Sequence, residues 1–159
     1  MNDQRHRVVT NFVWNIDYFQ NMKNFAGRYF VNGWSLSGII LAQTGQPYST
    51  AIGGDPNNDT NGFTDRVPQD GRNTNYGSTI SNYDLRVTKS IPLFRERVRF
   101  NLALDAFNAF NQPNFLAGNV RNGKYTFNGT AYVLQSNFGT YANQTLDNRI
   151  LQISGKIVF

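Results

Sequence analysis

Apolar and polar side chains alternate with a period of two in five separate stretches of this chain, the pattern of β-strands with one dry and one wet face. In residues 5–18 the even positions carry Val8, Thr10, Phe12, Trp14, Ile16 and Tyr18, and the odd positions include Arg7, Asn11, Asn15 and Asp17. Residues 33–46 put Trp34, Leu36, Gly38, Ile40 and Ala42 on one side and Ser35, Ser37 and Gln43 on the other, with Ile39 and Leu41 as exceptions. Residues 82–93 set Tyr83, Leu85, Val87 and Ile91 against Asp84, Arg86, Thr88 and Ser90. Lys89 falls on the apolar side there, where a long stem can snorkel to a membrane interface. Residues 97–111 oppose Val98, Phe100, Leu102, Leu104, Ala106 and Phe110 to Arg97, Arg99, Asn101 and Asp105. Residues 148–159 oppose Leu151, Ile153, Ile157 and Phe159 to Gln152, Ser154 and Lys156.

A soluble sandwich also alternates, so strand length and connections have to decide. These stretches run about 12–15 residues, where globular strands average about 5–6 and membrane strands need about 9–11. Charges stand mid-strand on the polar side, as a wet lumen allows, and Trp14, Tyr18, Trp34, Tyr83, Phe110 and Phe159 lie toward strand ends, where aromatic girdles belong. A tight turn is expected near Leu93–Glu96, a short link between the first two strands, and long connections over 47–81 and 112–147. Short turns facing the periplasm and long loops facing outside are the habit of outer-membrane barrels. The expected fold over residues 1–159 is therefore all-β: an antiparallel transmembrane β-barrel segment of five long strands with two long outside loops. Phe12, Trp14, Leu36, Ile40, Leu85, Val87, Phe100, Leu102, Leu104, Ile153 and Ile157 should meet lipid. Asn11, Ser37, Arg86, Arg99, Asn101, Asp105, Gln152 and Lys156 should line the lumen.

Composition agrees. Aromatics reach 14% while charged residues are only 16%, and Asn, Gln, Ser, Thr and Gly carry the polarity. With no cysteine there is no disulfide, thiolate zinc site or thiol nucleophile. No apolar run has the length of a transmembrane helix. The start, MNDQRHRVV, lacks the apolar core of a signal peptide, so either the native start lies upstream or the membrane reading is wrong. The net charge of +5 is scattered apart from Arg95, Arg97 and Arg99, which argues against a nucleic-acid partner.

Candidate chemistry is sparse, and no enzyme is expected. His6, the one histidine, has neither an HExxH context nor a positioned partner. Asp55, Asn57, Asp59 and Asn61 space oxygen ligands at alternate positions, as a calcium loop begins. Thr60 stands where such a loop needs Gly, and Arg66 where it needs Glu; a polar turn is the competing reading. Arg86 and Asp105 fall on the polar faces of neighbouring strands, either as lumen charges on a permeation path or as a structural ion pair. Asn-Gly at 122–123 and 128–129 favours type I′ turns, so KYTFNGTAYVLQ is a candidate hairpin. The closing strand alternates to a terminal Phe159, which resembles the signal read by the bacterial barrel-assembly machinery.

Several stretches resemble the C-terminal end of TonB-dependent outer-membrane receptors, in particular the Oar-like barrels. They are DQRHRVV at 3–9, NGWSLSGIILAQTGQPYS at 32–49, GDPNNDTNG followed by DR at 54–66, NYDLRVTKS at 82–90, DAFNAFNQPNF at 105–115, FGT at 138–140 and the closing KIVF. The resemblance implies a Gram-negative-type outer membrane and a barrel of about 22 strands around a plug. It implies TonB engagement through an N-terminal region that this chain does not show, and uptake of a small nutrient or chelate. The outer-membrane lipid and the assembly machinery would be its other partners, with no cofactor besides the calcium candidate. A passive pore or adhesive barrel is the first alternative, and a secreted carbohydrate-binding β-sandwich the second.

Overall fold

The computed structural model describes residues 3–18, 24–60, 65–93, 98–143 and 148–159. The chain divides into two compact units, one of residues 8–42, 81–112 and 147–159, the other of residues 1–7, 43–80 and 113–146.

The first unit is a five-stranded sheet in the order β1 (Arg7–Ile16), β2 (Trp34–Gln43), β6 (Ile80–Leu93), β7 (Val98–Phe107), β10 (Ile150–Val158). The five alternating stretches became these strands, trimmed by a few residues at most ends. β6 pairs antiparallel with β7, Leu85 facing Ala106 and Leu93 facing Val98; β10 pairs antiparallel with β7, Ile150 facing Phe107 and Val158 facing Arg99. β1 and β10 are its two edges. The turn expected at Leu93–Glu96 falls mostly on residues outside those described. No helix among the described residues is long and apolar enough to cross a membrane, which has no bearing on crossing by strands.

The second unit, built from the two long connections, holds more strand than the one hairpin expected there. It contains β3 (Pro47–Tyr48) antiparallel to β5 (Asn75–Tyr76), and a three-stranded sheet of β4 (Ala51–Gly53), β8 (Gly123–Phe127) and β9 (Tyr132–Leu134). β4 and β8 run parallel, so the fold is not uniformly antiparallel. Parallel pairing needs a long crossover, and the excursion from β4 through β6 and β7 to β8 supplies one. Its core is conventional: Ile52, Val67, Ile80, Ala117 and Val120 are buried. Thr50 is buried beside them, and its hydroxyl donates to Asp70 Oδ2 at 2.8 Å, while Lys124 Nζ reaches the same oxygen at 3.0 Å. The phenol of Tyr141 accepts the Ser78 N–H at 2.6 Å and its ring stacks on Phe115 at 4.4 Å. Gly45 is required where it stands, because a Cβ would run into the Gly77 carbonyl.

The expected hairpin over KYTFNGTAYVLQ is present, β8 pairing antiparallel with β9, but not through a type I′ turn. Four residues separate the strands, and of the Asn-Gly pair only Gly129 has positive φ, at 93°. Asn128 Oδ1 instead accepts the Thr130 and Ala131 N–H groups at 3.0 and 2.8 Å. The other Asn-Gly makes no turn at all, since Gly123 begins β8. Side-chain capping by asparagine displaced the two-residue turn in the first case, and strand pairing with β4 did so in the second.

Candidate functional site

The candidate site is the pair of faces of the five-stranded sheet. The registers place Leu85, Val87, Lys89, Ile91 and Leu93 beside Ala106, Leu104, Leu102, Phe100 and Val98, and those beside Leu151, Ile153, Gly155 and Ile157. The opposite face carries Arg86, Thr88 and Ser90, then Asp105, Ala103, Asn101 and Arg99, then Gln152, Ser154 and Lys156. The parity expected for β6, β7 and β10 is thus the parity found.

Glycine extends the apolar face to β1 and β2. A Cβ on Gly38 would lie 2.8 Å from both Leu85 Cδ2 and Phe12 Cε1, so Phe12 lies over the glycine on the face that Leu85 marks. Phe100 covers Gly155 likewise, with two ring atoms 3.1 Å from where a Cβ would stand. Each ring fills the notch that the missing side chain leaves in an apolar surface. On β7 and β10 the face is exposed at Leu102, Leu104, Leu151, Ile153 and Ile157, Ile153 at 74%, while on β6 it is half-buried.

On the polar face Arg86 and Asp105 are direct cross-strand partners. The guanidinium grips the carboxylate with two parallel bonds, Nε to Oδ1 at 2.6 Å and Nη2 to Oδ2 at 3.0 Å. That fork is the strong geometry for an arginine–carboxylate pair. Asp105 is buried while the Arg86 side chain is 54% exposed, so one edge of the cation stays open to the medium. Asn11, Ser37, Asp84 and Phe107 line with them a concavity of about 390 Å³. Arg99 and Lys156 are exposed on the same face, and the structure pairs them with Val158 and Asn101. Phe159 follows the last strand residue and is 98% exposed.

Lys89 does not reach outward as its long stem allowed. It is buried on the apolar face, its ammonium donating to the Asn32 carbonyl and lying 5.0 Å from the Trp34 ring. Sequence alone missed this partner because Asn32 is 57 residues away.

At the C-terminal end of β7 the stretch DAFNAFNQPNF works through its asparagines. Asn108, at φ 46°, accepts the Gln112 N–H and donates its amide to the Gln112 carbonyl. Its own N–H goes to Asp84 Oδ1 at 2.9 Å, and Asn111 Oδ1 accepts the Arg149 N–H at 3.0 Å. These side chains end the strand by satisfying backbone groups that the ladder no longer can.

The calcium candidates form a turn. Asp55 gives its two carboxylate oxygens to the N–H groups of Asp59 and Thr60, at 2.9 and 2.8 Å. The Asn57 amide bridges Asp59 and Asp65 at 3.0 and 3.2 Å. Asn61 lies outside the described residues. Asp65 was not among the candidates; burial first, then the neighbouring Asp59 and Asp55, holds its carboxyl above the usual carboxylate range. Among the described residues no three histidine or acidic side chains are grouped to hold a metal ion. His6 is exposed, and its backbone bonds Thr44.

Neither a curated protein nor a solved structure matches this chain. One protein family does, described as an outer membrane beta barrel domain, over residues 1–70 and 66–152. That span holds all of β1 to β9 and the start of β10, and it removes the secreted sandwich as a reading. A sheet with a charged face, an exposed apolar face and long strands is what a barrel wall requires: this chain belongs to the outer membrane beta barrel family, and the protein resides in the outer membrane.

Proposed function

We propose that the chain supplies part of the wall of a TonB-dependent transporter or receptor that takes up a nutrient, a metal chelate or an oligomeric substrate. The observation that carries this reading is the polar face, where the Arg86–Asp105 fork stands in an open concavity on a sheet whose edges, β1 and β10, each await a further strand. Bare strand edges are untenable in lipid, so the five strands belong to a larger wall. The resemblance of GWSLSG…TGQPY and DAFNAFNQPNF to the Oar-like receptors supports the energised class over a passive pore or adhesive barrel. In this reading Arg86, Arg99, Asp105 and Lys156 line the lumen, and no residue carries a chemical step.

Uptake by cells bearing the full-length protein should fall to background when TonB is removed or the proton gradient is collapsed. Uptake that continues undiminished without TonB would favour the passive pore. By the same reading the long connections face outside: protease added to intact cells should cut within 50–80 or 116–145 and spare 93–96. Deleting Phe159 should lower the heat-modifiable folded fraction without lowering synthesis; unchanged assembly would remove that residue as a recognition element.

A further inference from the structure

The connection from β1 to β2 contains a single wide helical turn, Gly27–Val31. Asn24 Oδ1 accepts the Gly27 N–H at 2.9 Å, and the Asn32 N–H closes the turn on the Gly27 carbonyl at 3.0 Å. The turn displays an aromatic cluster that buries little of itself. Phe25 and Phe30 are 71% and 67% exposed, their ring centroids are 6.2 Å apart, and Tyr29 lies 4.8 Å from Phe25. Two phenylalanines left in water would each forgo most of the stabilisation that burying an aromatic ring brings.

Two bonds fix which side of the sheet this cluster occupies. Trp34 shares the apolar face with Lys89, and its indole N–H donates to the Phe30 carbonyl at 2.8 Å. The Lys89 ammonium donates to the Asn32 carbonyl just beyond the turn. Both tethers start from the apolar face, so the turn leans to that side. Trp14 and Tyr18 on β1 and just past it add a further aromatic pair, joined by an indole-to-phenol bond of 2.8 Å. Residues 24–34, NFAGRYFVNGW, include one basic and no acidic side chain, so nothing in the turn repels a phosphate headgroup.

We propose that residues 24–32 form a membrane foot: Phe25, Tyr29 and Phe30 seat in the headgroup–acyl boundary of the phospholipid leaflet, and Trp34 and Lys89 fasten the turn to the barrel wall. The occupant is lipid because the cluster continues the apolar face of a sheet that lies in the outer membrane: Phe25 and Phe30 supply exposed apolar area, and Tyr29 the amphipathic ring that favours that boundary. Lys89 then serves the turn and not the headgroups, which explains an ammonium buried on an apolar face. The proposal rests on the reading that the Leu85–Leu104–Ile153 face meets lipid.

The chain has no cysteine, so single-cysteine spin labels report one position each. Phe25→Cys, Phe30→Cys, Leu104→Cys and Gln152→Cys would be compared in the full-length protein in phospholipid vesicles, relaxed by oxygen or by a water-soluble nickel chelate. Labels at 25 and 30 should show an oxygen-to-nickel ratio several-fold above that at Gln152 and below that at Leu104. Equal wetting at 25, 30 and 152 with Leu104 still shielded overturns the foot alone. Shielding of 25 and 30 from both relaxers overturns it in favour of a protein partner. A wet Leu104 overturns the lipid face and the foot together. Should a label unfold the turn, Phe30→Trp retains an aromatic ring there, and brominated phospholipid should quench its added emission; unquenched emission counts against the foot.

Discussion

In the loop unit Ile52, Val67, Ile80, Ala117 and Val120 are all less than a tenth exposed. In the sheet unit, residues 8–42, 81–112 and 147–159, the described side chains that reach that level are Lys89, Asp105 and Asn108, and on its apolar face Ile153, Leu151 and Ile157 stand 58–74% exposed. One chain therefore contains two opposite solutions to burial. Where water surrounds a unit, apolar groups collect inside and polar groups are spent on a few internal bonds, such as Thr50 to Asp70. Where lipid is the solvent, the apolar groups need no interior, and the groups that need shelter are the charged and amide side chains. An exposed isoleucine is thus a defect in one unit and a requirement in the other.

A charge placed on the two faces of one strand tests this inversion with the largest effect. Leu104→Arg should cost about 2–4 kcal/mol if that position lies near the bilayer midplane, whereas Ala103→Arg on the opposite face should be tolerated. Reversible urea unfolding in phospholipid vesicles measures both. Equal costs would mean that the sheet does not separate lipid from water.

Next in size is a single methylene removed in each unit. Ile52→Val creates a void in a closed core and should cost about 0.5–1.5 kcal/mol. The same change at Ile153, 74% exposed, leaves no cavity and should cost a few tenths at most. Protease susceptibility of residues 47–53 should report the first and heat-modifiability the second. A larger loss at Ile153 would contradict the comparison.

The smallest effect is electrostatic and confined to the loop unit, where two aspartates respond to pH with opposite signs. The hydrogen bond from Thr50, then the one from Lys124, holds Asp70 below the usual carboxylate range. Its contribution is present above the unfolded value and is lost as pH falls through the lowered one. Burial, with Asp59 and Asp55, holds Asp65 above that range, so its repulsion is felt above the raised value and relieved as pH falls through it toward the unfolded one. Carboxyl NMR titration should find Asp65 protonating first, and Thr50→Val should return Asp70 toward its ordinary value without moving Asp65. Asp70 titrating above Asp65 in the unaltered protein would sink this account.

The sequence by itself determined the five long strands, their two faces and the cross-strand meeting of Arg86 with Asp105. The reason is that side-chain parity has a period of two, and a short turn fixes which residues of adjacent strands can face each other. Of the exceptions it flagged on β2, Ile39 stands exposed and lines the same concavity as Ser37 and Arg86. Pattern did not decide what happened in the long connections. The parallel pairing of β4 with β8, the Asn128 side chain taking over a turn expected from Asn-Gly, and the Thr50–Asp70–Lys124 cluster all join positions with no periodic relation. Nor did it give Lys89 its carbonyl partner or lay Phe12 over Gly38. Those contacts depend on which backbone segments approach within a few ångströms after folding. Tertiary structure alone sets that distance, because neither the ring that fills a glycine notch nor the cation that meets a loop carbonyl is marked in the order of residues.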